Sequence, residues 1–370
     1  MSRPHTAPEV LSTRRLNRAL LARQGLLDPW NAGILDTIQR LIGLQSQAPH
    51  AAYAGLWTRL AEFDPNELSA LLADRQVVRI ALMRSTLFLV SAADCLALRP
   101  VMQQASVRAI ASSAGKRTRE VDLARLMRRA RELLEREPLT LAELGVMLEP
   151  DFPPYAPADL ATLVRVGLPL VQVPPRGLWG RSGRSRHTTA ESWLGRPLGA
   201  DSAPDEAILR YLQAFGPATV SDIQTWSGLT GLRAAIERLR PGLRSFRNER
   251  GQELLDVANG LLPGEDTDAP VRILPEFDNC LLSHADRSRI FDDRHRMRFI
   301  TQNGLVSSTV LVDGFVAATC RVHRAQDRAS LLVEPLAPLR RQDRSAVRLE
   351  GLRCLAFLAQ GAKHEVVFVE

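Results

Sequence analysis

The chain has 370 residues, a formal net charge of +7, 45% apolar residues and four cysteines. No run approaches the roughly 18 uninterrupted apolar residues of a membrane span, and the polar start, 1–13, has no secretory apolar core, so a cytoplasmic protein without a membrane partner is expected. Cys95, Cys280, Cys320 and Cys354 lack C-x-x-C spacing and the histidines form no H-E-x-x-H pair, so neither a disulfide framework nor a metal or other cofactor is expected.

In chain order, 14–24 (Leu16, Leu20, Leu21), 31–44 (Ile34, Leu35, Ile38, Leu41) and the segment after Asp64-Pro65-Asn66 read as helices; 77–80 and 82–90 read as strands. Three helices and a hairpin give the winged-helix order. Helices are expected again at 123–137, from 139 through 148, and at 158–166. A strand at 170–173 then runs into a glycine-rich hairpin, Gly177 to Gly183. A third set follows: helices at 205–215, 220–227 and 230–240, with a wing around Glu249-Arg250-Gly251. After a linker at 262–269, Asp313-Gly314 marks a tight hairpin, 331–333 and 366–369 add strands, and 341–360 reads as one helix. The expected fold class is therefore α+β: tandem winged-helix units (helix-turn-helix plus β-hairpin wing) at 1–115, 116–200 and 201–262, then a C-terminal α+β unit at 263–370, in a monomer.

Nearly all the positive charge is arginine, with only Lys116 and Lys363 as lysines. Arginine forks onto phosphate and guanine. Arg176, Arg181, Arg184 and Arg186 surround the glycine-rich hairpin, with no acid until Glu191, and Arg233 to Arg250 run from a third helix into its wing; both suit DNA contact, with Arg233 and Arg247 chosen from the second. Arg125 to Arg131 share their helix with Glu132 and Glu135 and read as a solvated face. Trp179 either wedges into a base step or packs under its own hairpin. Gln45 and Gln47 follow an apolar helix, where spacing alone suits a polar helix end.

The run Gly43-Leu44-Gln45-Ser46-Gln47-Ala48-Pro49, with Gly55-Leu56-Trp57-Thr58-Arg59-Leu60, Leu82-Met83-Arg84-Ser85-Thr86-Leu87, Pro174-Pro175-Arg176-Gly177-Leu178-Trp179-Gly180 and Leu274-Pro275-Glu276-Phe277-Asp278-Asn279, resembles the signature of the winged-helix DNA glycosylase family. The blocks keep one order over most of the chain. That family carries a Gln-x-Gln or Gln-x-Asp catalytic motif, so the resemblance implies that Gln45 and Gln47 are catalytic and that Arg59 and Arg84, inside the blocks, contact DNA. Two departures stand out: Phe88 where many relatives have histidine, and Ser46 where an apolar residue is common.

Glutamine has no useful pKa, but its amide can hold a water and donate a hydrogen bond. That suffices when the leaving group is already cationic, as an N7-alkylated purine is, and the transition state is oxocarbenium-like. No lysine lies near the motif for a Schiff base, so the resemblance implies monofunctional hydrolysis of the N-glycosidic bond in double-stranded DNA containing alkylated purines. Bulky genotoxin adducts and interstrand cross-links suit an open channel of winged helices, and imply roles in DNA repair and self-resistance. Asp36 or Glu62 could supply a carboxylate. The alternatives are a non-enzymatic winged-helix regulator and a protein that binds the genotoxin itself, which needs an aromatic-lined apolar pocket.

Overall fold

A computed structural model describes residues 8–113 and 118–369, with 109–113 described by backbone alone. Residues 1–7, Lys116 and the 115/116 boundary lie outside the described residues.

Three winged helices are present. The first is built from the helices Ile34–Arg40, Ala51–Trp57 and Pro65–Ala73, which share one core through Ile38, Leu56, Leu68 and Leu72, and the strands Val77–Ala81 and Leu87–Ser91. Its membership differs from expectation by one helix. Thr13–Arg23, which the element order makes the first of the set, buries Leu20 and Leu21 in the core that holds Tyr211, Leu212 and Phe215 of the third set. Arg23 also forms a buried ion pair with Asp256 at 2.7 Å. The short helix Ala51–Trp57 gives no sequence signal because it carries alanines and a glycine rather than an apolar stripe.

The helix Ile34–Arg40 stops early. Ile42 (φ 53°) and Gly43 (φ 84°) turn the chain left-handed. A Cβ at Gly43 would stand 2.5 Å from Val90 Cγ1 and 2.7 Å from the Leu89 carbonyl, so only glycine fits. The chain then enters the strand Leu44–Gln45, paired antiparallel with Leu87–Ser91 in the register Gln45↔Phe88. The strand expected at 82–90 is interrupted likewise: Leu82 N–H bonds the Thr86 carbonyl at 3.0 Å, closing a turn with Arg84 and Ser85 at positive φ.

The second winged helix comprises Leu123–Arg136, Leu141–Leu148 and Pro157–Gly167, with the strands Leu139–Thr140, Leu170–Gln172 and Arg186–Thr189. Thr140 and Glu143 form a capping box at the start of Leu141–Leu148. The first and second units join edge to edge: Val77–Ala81 pairs antiparallel with Leu170–Gln172, giving one six-stranded sheet. Ala92–Ser113, a helix not foreseen, buries Leu96, Leu98, Val101 and Met102 on several sides, which obscures any single apolar face. The third unit has the helices Asp205–Phe215, Val220–Ser227 and Arg233–Leu239 and the wing strands Leu243–Asn248 and Glu253–Val257, close to expectation; Val10–Leu11 adds a parallel third strand.

The C-terminal unit is a five-stranded sheet, in the order Arg272–Leu274, Thr309–Val312, Phe315–Ala325, Arg328–Pro335, Lys363–Phe368, packed against the helix Arg341–Leu358. Asp313 and Gly314, both at positive φ, make the expected tight turn. The next hairpin is longer than expected, and its outer residues 321–328 are exposed. No helix among the described residues is long and apolar enough to cross a membrane.

Candidate active site

The backbone of Gly43 and the turn 82–86 bring Gln45, Gln47 and Arg84 together. Gln45 is 6% exposed. Arg84 Nη2 donates to Gln45 Oε1 at 2.8 Å, and Gln45 Nε2 donates to Gln47 Oε1 at 2.7 Å. Arginine can only donate, so it fixes which end of the Gln45 amide is oxygen, and Gln45 in turn fixes Gln47. Gln47, exposed, therefore presents its NH₂ group and one remaining oxygen lone pair outward. Arg84 Nη1 donates to the Trp226 carbonyl at 2.7 Å, tying the pair to the third winged helix. Burial, reinforced by the charge of Arg287, lowers the Arg84 guanidinium to about 10; it stays cationic at neutral pH. Arg84 thus points inward at Gln45, whereas a DNA contact was expected of it. Phe88, fully buried, lies under its guanidinium at 5.7 Å.

Ser46 faces the other way. Buried Arg79 donates to Ser46 Oγ at 3.2 Å and to the Ser46 carbonyl at 2.7 Å, and its third bond goes to Gln172 Oε1 at 2.8 Å on the second unit. The polar residue between the glutamines is explained by this guanidinium, which has no carboxylate partner; burial and Arg176 lower it to about 10.

The block 274–279 is folded onto the same strand. Asn279 Nδ2 donates to the Gly43 carbonyl at 2.9 Å, and Pro275 and Phe277 close over Gln45, leaving a space of only about 10 Å³. Asp278 Oδ1 accepts from Arg59 Nη2 at 2.9 Å. Arg59, expected at the DNA surface, is 1% exposed, so burial and this ion pair correct that expectation. Glu276 is the exposed member of the block and shares a groove with Ala48, Pro49 and Ala51. Asp36 and Glu62 are also exposed but line neither this groove nor the space beside Gln45. Sequence reasoning missed Glu276, although it stands inside one of the resembling blocks.

Trp179 does not sit at a free hairpin tip. The segment 173–185 is a long connection folded against the first unit, where Tyr53 Oη donates to the Gly177 carbonyl at 2.8 Å and Trp179 N–H donates to Ser69 Oγ at 2.9 Å. Trp179 stacks on Phe357 (5.1 Å between centroids), which stacks on Trp57 (5.7 Å). Trp179 packs between the first and C-terminal units and not under its own hairpin.

The other arginines divide by partner. Arg184 and Arg186 share Glu143, at 2.8 and 3.2 Å, an acid distant in sequence. Arg176, half-buried, bonds the Gly183 carbonyl at 3.2 Å. Arg238, Arg240, Arg244 and Arg250 pair with Asp205, Glu237 and Glu253, Asp256 and Asp286. Arg181, Arg233 and Arg247 are exposed and form no salt bridge among the described residues, although Arg247 lies across the wing from Glu253, which Arg240 already pairs. On the helix Leu123–Arg136, Arg129 and Arg131 pair with Glu132, Asp151, Glu135 and Glu191, as befits a solvated face. Close to the glutamines, exposed Arg321 and Arg324 of the long hairpin line the grooves beside His50. His50 is held below its ordinary pKa by burial and then by Arg324, Arg79 and Arg176, a sign of positive potential there. The hairpin arginines were also missed, because the strand read at 331–333 falls short of the hairpin's outer end. Among the described residues, no group of three or more His, Cys, Asp or Glu is placed to hold a metal ion.

The fold matches the solved structure of Streptomyces sahachiroi DNA glycosylase AlkZ with a TM-score of 0.79, at 22% identity, over 97% of this chain and 100% of that one. In sequence, the chain is 25% identical over 342 residues to an interstrand DNA cross-link repair glycosylase of Streptomyces sahachiroi, covering 85% of this chain and 88% of the relative. The family model for DNA glycosylase AlkZ-like proteins matches residues 38–357, and the chain belongs to this family of DNA glycosylases.

Proposed function

We propose that Gln45 and Gln47 form the hydrolytic centre of a monofunctional DNA glycosylase that acts on N7-alkylated purines, including bulky adducts and interstrand cross-links, in repair and self-resistance. The observation that carries this is the one-way chain Arg84→Gln45→Gln47, which turns an otherwise freely rotating amide into an oriented one. The free lone pair of Gln47 accepts a hydrogen bond from a water and aims its oxygen at the anomeric carbon; the water's proton leaves to solvent once the C–O bond has formed. Because the departing purine carries its own positive charge, no strong base is required, and orientation supplies the catalysis. Glu276, which shares a groove with Ala48 and Pro49 just after Gln47, adds negative charge near the developing oxocarbenium ion.

The space at Gln45, about 10 Å³, cannot hold a purine. The lesion is therefore met at the open surface where Gln47 lies, a geometry that tolerates a base tethered to the opposite strand. The cross-link activity in the name of the Streptomyces relative suits the same geometry.

The test uses duplex DNA with one N7-alkylguanine, followed by alkaline cleavage at abasic sites. The wild type gives strand breaks and the double variant Gln45→Ala, Gln47→Ala gives them about 100-fold more slowly. Equal cleavage by both removes the assignment. Tight binding to one undamaged sequence, with no cleavage of any alkylated duplex, favours a regulator instead.

A further inference from the structure

Next to the glutamines lies an apolar groove of about 290 Å³, lined by Ala51, Ala54 and Trp57 on one wall and by Ile273, Val322 and Leu358 on the other. This is near the small end of the range for ligand pockets, roughly 300–1,000 Å³. His50, Glu276 and Arg321 are exposed at its rim, and the thiols of Cys320 and Cys354, buried in its wall, stay protonated and add no charge. It continues past Val322 and Leu358 into a second groove, where Trp179 and Phe357 stack at 5.1 Å.

Undamaged duplex DNA offers an apolar groove of this depth nothing larger than a thymine methyl. It presents phosphates, which arginines meet, and polar base edges in its grooves. Exposed apolar area on a surface of this kind marks a binding site. Continuity with the active site identifies the occupant. Ala48 and Pro49 line the groove and directly follow Gln47, and two residues of chain reach no further than roughly 7 Å. A group attached to a purine held at Gln47 is therefore delivered to the groove by the lesion itself.

We infer that this groove is the subsite for an apolar, ring-bearing substituent carried on the alkylated base. The inference rests on the glycosylase reading and names the class of adduct it favours. Burial of the substituent holds the purine in register with Gln47, so binding energy gained away from the reacting atoms places the glycosidic bond.

The experiment compares single-turnover excision of N7-methylguanine and N7-benzylguanine from the same duplex by the wild type and two variants. Ala54→Phe fills the groove. Val322→Glu, at a position 37% exposed, puts charge on its wall without touching the core. The wild type is expected to favour the benzyl adduct by about 10-fold or more, as burial of several ring carbons implies, and each variant to bring the ratio to within about twofold of one. Equal wild-type rates on the two adducts, or variants that slow both in the same proportion, overturn the subsite and leave the glycosylase reading standing. Abasic sites from neither adduct overturn both.

Discussion

Arg84 Nη2 and Gln45 Oε1 are 2.8 Å apart, and this contact sets the polarity of the whole glutamine pair. The guanidinium is held from three sides: the turn that places Arg84 at φ 55°, the Trp226 carbonyl, and the Phe88 ring beneath it. Without it the Gln45 amide can flip, and Gln47 loses its fixed donor and acceptor. Arg84→Gln is therefore expected to lower the single-turnover excision rate about 100-fold, the cost of a misplaced catalytic group, while affinity for undamaged duplex changes little. Arg84→Lys, which donates without the fork, should recover part of the rate. A loss of duplex affinity matching the loss of rate would return Arg84 to the DNA-contact role that its sequence block suggested.

The two glutamines occupy unlike places, one buried and one exposed, and in the proposed mechanism they act as a unit. Gln47→Ala removes the group facing the water, and Gln45→Ala releases Gln47 from its orientation. Each single substitution is expected to cost about as much as the double one, on the order of 100-fold in rate, because members of one catalytic unit are not additive. Rate losses that multiply in the double variant would show two independent roles.

The legible parts of the molecule are those governed by local rules. The third winged helix can be read almost to the residue, because Thr219 and Asp222 cap its second helix and its apolar residues keep helical spacing. The Asp313-Gly314 turn is equally plain. What the sequence hides is pairing at a distance. Glu143 is more than 40 residues from the Arg184 it neutralises, and Asp278 is 219 residues from Arg59. A run of arginines without neighbouring acids looks like a DNA surface until the fold brings an acid to it. The glutamine motif is visible, but its orienting partner, Arg84, lies in a turn whose residues look like continuous strand.

Arg59 and Asp278 link the helix Ala51–Trp57 to the block that covers Gln45, with both side chains within 2% of full burial. Breaking such a pair strands a buried charge, at about 3–5 kcal/mol. Arg59→Ala should shift the urea midpoint downward accordingly. The double variant Arg59→Met, Asp278→Asn, which leaves no orphaned ion, should recover part of that stability. A reduced salt dependence of DNA binding in Arg59→Ala, with stability intact, would contradict the interior role.

Arg181, Arg233 and Arg247, exposed and without a salt bridge among the described residues, are the arginines of the expected DNA set best placed to displace counterions from phosphate. Each that contacts a phosphate should lower the slope of log K against log salt by about 1 when changed to alanine. Arg184→Ala should have a smaller effect, because Glu143 already offsets its charge. Binding isotherms between low and moderate salt give these slopes directly, and a larger change for Arg184 than for Arg233 would place the duplex on the second unit's long connection instead.

His187 lies buried in the strand Arg186–Thr189, and burial, with Arg165 and Arg79 opposing a further positive charge, lowers its pKa to about 4. The fold therefore holds it neutral, whereas the unfolded chain takes up its proton near pH 6.5. Between those two values the unfolded state binds more protons, so stability is complete above about pH 6.5 and falls as the pH drops towards 4. Each pH unit below 6.5 costs roughly 1.4 kcal/mol, so the loss from this residue reaches about 2 kcal/mol by pH 5. Buried His284, lowered to about 3 chiefly by burial, adds a loss of the same sign. Urea unfolding at pH 7.5 and pH 5 should show a clear loss in the wild type and a smaller one in His187→Gln, since glutamine takes up no proton in either state. Equal losses in the two proteins would mean that His187 takes up its proton within the fold, and that the strand yields locally to admit the charge.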